Sequence, residues 1–163
     1  MLQHYGFPTP LLDWTYSPYI AAYFAYRDVN DLKPESKYVK IYIFDYIQWS
    51  VAYTQYPDIK QQTNTTHISI IRPYAMFNER IIPQKSVLTL STVDDMESHI
   101  SLLATSSKKD FLYTVLLPVS EKPVVMRELH LMGIDEMTLF PSIDGICRAQ
   151  KNLFFSQPIV QYT

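Results

Sequence analysis

The chain has 163 residues, 47% hydrophobic and 18% charged, which suits one domain with a real core and leaves too little for two. Its 14 Lys+Arg against 16 Asp+Glu give a net charge of −2, so no basic field invites nucleic acid or anionic lipid. One cysteine, Cys147, excludes a disulfide framework and a cysteine-rich zinc site, and no apolar run is long enough to cross a bilayer. The opening MLQHYGFPTP is polar and turn-rich rather than leader-like, so the expectation is a soluble, cytoplasmic, singly folded domain over residues 1–163.

The earliest clear element is a helix over 18–27, because Ser17 can cap free amides and Pro18 fits the first helical position. Ile20, Tyr23, Phe24 and Arg27 then follow at helical spacing, with Ala21 and Ala25 allowing close approach. Residues 28–37 and 56–66 are polar and read as loops. β-branched and aromatic residues predict strands over 38–45, 68–71, 86–91 and 112–117. Between the last two, 94–103 reads as a short helix begun by aspartate. A helix over 122–132 has Ser120 as its expected cap, Pro123 in its first turn and Gly133 as its left-handed stop. Val125, Leu129 and Met132 are its expected buried stripe. A last helix is predicted over 142–152, although Gly145 inside it costs about 1 kcal/mol relative to alanine. Helices and strands mix without strict alternation, which predicts an α+β fold with a mixed or antiparallel sheet and flanking helices.

The three glycines and the lack of a GxGxxG or P-loop string argue against phosphate-cradling loops. The four histidines, His4, His67, His99 and His130, lack metal-ligand spacing, so no metal is expected. Cys147 reads as a small buried hydrophobe, and no GxSxG elbow supplies a nucleophilic serine. Asp135-Glu136 reads as a solvated turn above a packed Leu139-Phe140-Pro141. Asp13 and Trp14 sit before a helix start. The carboxylate either edges a pocket or satisfies turn amides, and the indole either walls that pocket or packs in the core. Ser17 suits capping, which leaves Thr15 as the better ligand contact, and Gln84 suits positioning rather than base chemistry.

Three stretches resemble the FRG domain family, named for a Phe-Arg-Gly motif. LQHYGFPTPLLDWTYSPYIAAYFAY (2–26) is similar to its Gln-His-x-Gly-x-Pro-Thr-Arg-Leu-Leu-Asp-Trp-Thr string with Ser-Pro and Ala-x-x-Phe-Ala following. NERIIPQKSVLT (78–89) is similar to Asn-x-Arg-x-x-x-Gln-x-Gly-x-Phe-Thr, and LHLMGIDEMTLFPSIDGICRAQK (129–151) to the Gly-Ile-x-x-x-x-Leu-Phe-Pro-x-Leu-x-Gly close. The chain departs from that pattern in lacking the Phe-Arg-Gly segment, so it reads as missing an N-terminal portion. It also has Pro10 at the usual arginine, and Lys85-Ser86-Val87 in place of the glycine neighbourhood.

Trp14-Thr15, Ser17-Pro18 and Ala21–Ala25 also resemble the second signature of ADP-ribosyltransferases, a hydroxyl-bearing strand end leading into a helix. That resemblance implies NAD as substrate, held by His4, Asp13, Trp14, Thr15 and Phe24, with Gln84 or Glu79 polarising the ribose or acceptor. Asp144 would line the same groove as Asp13. The implied reaction is NAD-dependent ADP-ribosyl transfer or NAD hydrolysis, with the acceptor open. The alternatives are a non-catalytic ligand-binding or protein-interaction module and a toxin-like or defence-associated effector. An exposed sheet edge would invite self-association or a partner.

Overall fold

A computed structural model describes residues 10–30, 36–58, 65–73, 80–141 and 147. In chain order the elements are β1 (Leu11–Thr15), α1 (Pro18–Arg27), β2 (Tyr38–Phe44), α2 (Tyr46–Ala52), β3 (Ile68–Ile71), β4 (Ser86–Ser91), α3 (Met96–Ser107), β5 (Leu112–Pro118), a 3-10 turn (Val119–Glu121), α4 (Lys122–Leu131) and α5 (Glu136–Leu139). The class is α+β. One antiparallel sheet has the order β1-β4-β3 and a second pairs β2 with β5. In the first, Asp13 faces Leu88 and Ile70 faces Thr89; in the second, Ile41 faces Val115.

Helix α1 begins as its sequence dictates, with Pro18 in the first turn and the Ser17 hydroxyl accepting from the Ile20 amide at 3.4 Å. Ile20 and Tyr23 turn inward to meet Leu129 of α4 and Leu139 of α5, forming one apolar core. Tyr26 is also buried, and its hydroxyl donates to the Pro118 carbonyl at 2.8 Å. Burial, followed by the nearby Glu121 carboxylate, raises its phenol above the usual range.

A second core gathers Trp49, Ile68, Ile100 and Phe111 from α2, β3, α3 and the approach to β5. The Trp49 ring meets Phe44, Tyr53 and Phe111 at centroid distances of 5.5, 4.4 and 5.3 Å, and its Nε1 donates to the Ile68 carbonyl at 2.8 Å. A buried indole that keeps its hydrogen bond avoids the penalty of an unpaired donor.

Several sequence expectations are corrected. Residues 11–15 form a strand, so Asp13 lies in a ladder and not in a turn. The strand expected over 38–45 ends at Phe44, because Asp45 caps α2, a helix that periodicity missed in only seven residues. The Gln48 backbone amide, then its side chain, hold the Asp45 carboxyl below its ordinary pKa. Helix α3 starts two residues later than expected, with Asp95 as the cap, and runs on to Ser107. Ser120 does not cap α4, since the chain enters through the 3-10 turn and Glu121 makes no side-chain cap bond. Of the expected stripe, Leu129 is buried and Val125 packs beside the core, but Met132 is exposed beyond the helix end. Gly133 does adopt the left-handed conformation, at φ +74°. Asp135-Glu136 is not a solvated turn: Asp135 and Thr138 form a reciprocal capping box that starts α5 and buries Glu136. Cys147 is exposed, not buried. The helix expected over 142–152 falls, apart from Cys147, outside the described residues.

Candidate functional site

The end of β1 turns directly into α1, and Thr15 at that corner is held on two sides. Its hydroxyl donates to the Gln84 carbonyl at 2.8 Å and accepts from the Ser17 amide at 3.1 Å. A hydroxyl has one proton, so this corner has committed its only donor. Gln84 lies at the end of the turn that leads into β4, beside Lys85 in the left-handed region at φ 49°. Its Nε2 donates to the Leu139 carbonyl at 2.9 Å. One glutamine thus joins β1 to α5 and lies in contact with Thr15.

One turn of α1 away, Tyr23 donates its hydroxyl to Glu136 Oε2 at 2.6 Å, and both residues are buried. Burial, then the Glu136 hydrogen bond and the Glu136 charge, push the Tyr23 phenol well above its usual range. The sequence reading missed Glu136 because an acidic pair after a glycine looks solvated. The signal available was Asp135-x-x-Thr138, a capping pattern that starts a turn and turns the next residue inward.

Beside this buried pair, Phe24 and Phe140 meet edge to face at 6.0 Å. The Arg27 and Arg80 guanidiniums lie 5.0 and 5.2 Å from the centre of the Phe140 ring. Arg27 also pairs with Asp28 at 3.1 Å. Helix α1, the turn at 80–85 and α5 therefore converge two guanidiniums, two aromatic rings, an amide and a buried carboxylate. Phe24, an expected NAD contact, lies in this group, and 38% of its surface stays exposed.

Of the other expected residues, some serve the fold and some fall outside the described residues. Trp14 donates its indole N–H to the Thr89 hydroxyl at 3.0 Å and packs on Phe44 at 5.5 Å, a structural placement. Asp13 is exposed on β1, opposite Leu88 of β4. His4, Glu79 and Asp144 fall outside the described residues. His67 is buried, with Nδ1 2.9 Å from the Ser69 hydroxyl and its ring 5.0 Å from that of Tyr56. His130 Nδ1 lies 3.1 Å from Asp135 Oδ2, tying the end of α4 to the α5 cap. Among the described residues, no group of three or more His, Cys, Asp or Glu is placed to hold a metal ion. No helix among them is long and apolar enough to cross a membrane.

Comparison with known families finds the FRG domain over residues 1–33, a fifth of the 163-residue chain. The described part of that match carries β1 and α1, the corner on which the site is built. No curated protein matches the chain, and no solved structure matches it either.

Proposed function

We propose that the chain is an FRG-type domain with an ADP-ribosyltransferase-like core that binds NAD and breaks its nicotinamide–ribose bond. The observation that carries this reading is the convergence of Arg27, Arg80, Phe24, Phe140 and Glu136 at the end of the FRG-matching segment. A dinucleotide asks for that chemistry: cations for the diphosphate, aromatic surface for a planar base, and a negative group for the oxocarbenium-like ribose. In the reaction the bonding electron pair leaves with nicotinamide. An acceptor lone pair, from water or from another molecule, closes on the ribose carbon and the acceptor's proton passes to solvent.

The test incubates the full chain with NAD, measuring nicotinamide release and the intact protein mass in one tube. The expected result is release by the wild type and a loss of about a hundredfold or more in Glu136→Gln, the scale seen when one transition-state electrostatic contact is removed. An added ADP-ribose mass assigns transfer, and release without it assigns hydrolysis. Folded protein that releases nothing overturns the reading.

A second reading, a non-catalytic ligand-binding or interaction module, is favoured by the Thr15 and Gln84 geometry. Both polar side chains that the resemblance turns toward a ligand are engaged within the fold. Such a module shows thermal stabilisation by its ligand without turnover.

A further inference from the structure

We propose that the Tyr23 hydroxyl is a positioning group, which holds the Glu136 carboxylate in the site and keeps it from collapsing onto Arg27. This rests on the NAD reading of the same site, and the test below separates its failure from the failure of that reading.

Glu136 opens α5, a helix of only four residues, and a glutamate side chain has several free torsions to settle. The residue is nevertheless only 8% exposed, a placement that costs free energy unless donors meet the carboxylate. The Tyr23 hydroxyl meets Oε2 at 2.6 Å, within the range of a charge-assisted bond from a hydroxyl to a carboxylate. Glu136 carries a further interaction, and Tyr23 supplies the hold from α1.

Tyr23 suits that task because its own ring is fixed. It packs with Ile20, Leu129 and Leu139 in the core and meets Phe24 edge to face at 5.7 Å. Burial first, then the Glu136 hydrogen bond and charge, raise its phenol, so it keeps its proton and remains a donor. The Arg27 charge acts on the same phenol in the opposite sense, which places that guanidinium within electrostatic reach of the pair.

Arg27 lies one turn further along α1, with its Nε committed to Asp28 at 3.1 Å. A carboxylate released from Tyr23 would turn toward this cation. That pairing would cancel both the negative group meant for the ribose and a cation meant for the diphosphate. A bond that only fastened α5 to α1 would alter stability and leave the split between kcat and KM untouched.

The test measures kcat and KM for nicotinamide release from NAD by the full chain. It compares the wild type, Tyr23→Phe, Glu136→Gln and the double variant, each checked for native circular dichroism. Tyr23→Phe should lower kcat about tenfold or more and leave KM within about twofold, because the ring still packs while the carboxylate loses its place. In the Glu136→Gln background the same change should have no further effect, since no carboxylate is left to hold. Glu136→Asp keeps the charge but falls short of the Tyr23 hydroxyl. It should lose kcat by a similar factor, and it serves as the second variant should Tyr23→Phe fail to fold.

A folded Tyr23→Phe protein with wild-type kcat, or with a loss confined to KM, overturns the proposal. So does an equal loss from Tyr23→Phe with and without Glu136, or a Glu136→Asp protein that turns over as the wild type does. A folded wild type that releases no nicotinamide overturns the NAD reading and this inference with it.

Discussion

Thr15 shows how much one hydroxyl can do at a corner. It joins the strand end to the turn at Gln84 and receives the first free amide before α1, so replacing it disturbs two bonds at once. Thr15→Val keeps the shape and leaves the Gln84 carbonyl and the Ser17 amide short of a partner, a loss of about 1–3 kcal/mol. Thr15→Ser keeps both bonds and should unfold close to the wild type. Denaturant midpoints of the two variants check this, and equal midpoints would show that the hydroxyl does not hold the corner. The resemblance named Thr15 and Gln84 as candidate site residues, and the fold joins them by a hydrogen bond. It did not foretell that Gln84 contributes its main-chain carbonyl, because a backbone partner leaves no mark on residue type.

At the scale of elements, local rules were read well where the stop and start signals are strong. Ser17-Pro18 begins α1, and Gly133 ends α4 in a left-handed turn, with its amide donating to the His130 carbonyl at 2.9 Å. A Cβ at Gly133 would meet nothing within 4 Å, so the cost of Gly133→Ala is backbone strain alone, about 1–2 kcal/mol. Thermal unfolding of that variant measures it, and an unchanged midpoint would mean that the turn relaxes freely. Short elements were not legible. The seven residues of α2 and the four of α5 give too few turns for a periodic pattern, and their starts rest on Asp45 and Asp135 side-chain caps.

For the whole molecule, the Tyr23–Glu136 bond spans 113 residues of sequence and closes α5 onto α1. Its pH dependence follows from the raised Tyr23 phenol. Below the ordinary tyrosine pKa of about 10, folded and unfolded chains both hold the proton and the stabilisation is fully present. Above it the unfolded chain releases its proton first, so stability falls as pH rises toward the higher folded pKa. Tyr23→Phe removes this contribution. Its urea midpoint should therefore fall less steeply than the wild type's as pH rises past about 10. Parallel curves would place the alkaline sensitivity in other tyrosines, Tyr26 among them.

By itself the sequence determined the α+β class, the capped start of α1, strands β3, β4 and most of β2 and β5, and the FRG-like corner, because caps, β-branched runs and family strings are local in sequence. Only the tertiary structure decided that Trp14 packs against Phe44, that Glu136 is buried beside Tyr23, and that Arg27 and Arg80 share the Phe140 ring. Those outcomes depend on which distant side chains exclude water together. That is settled by the packing of α1, α4 and α5 and not by the identity of any neighbour along the chain.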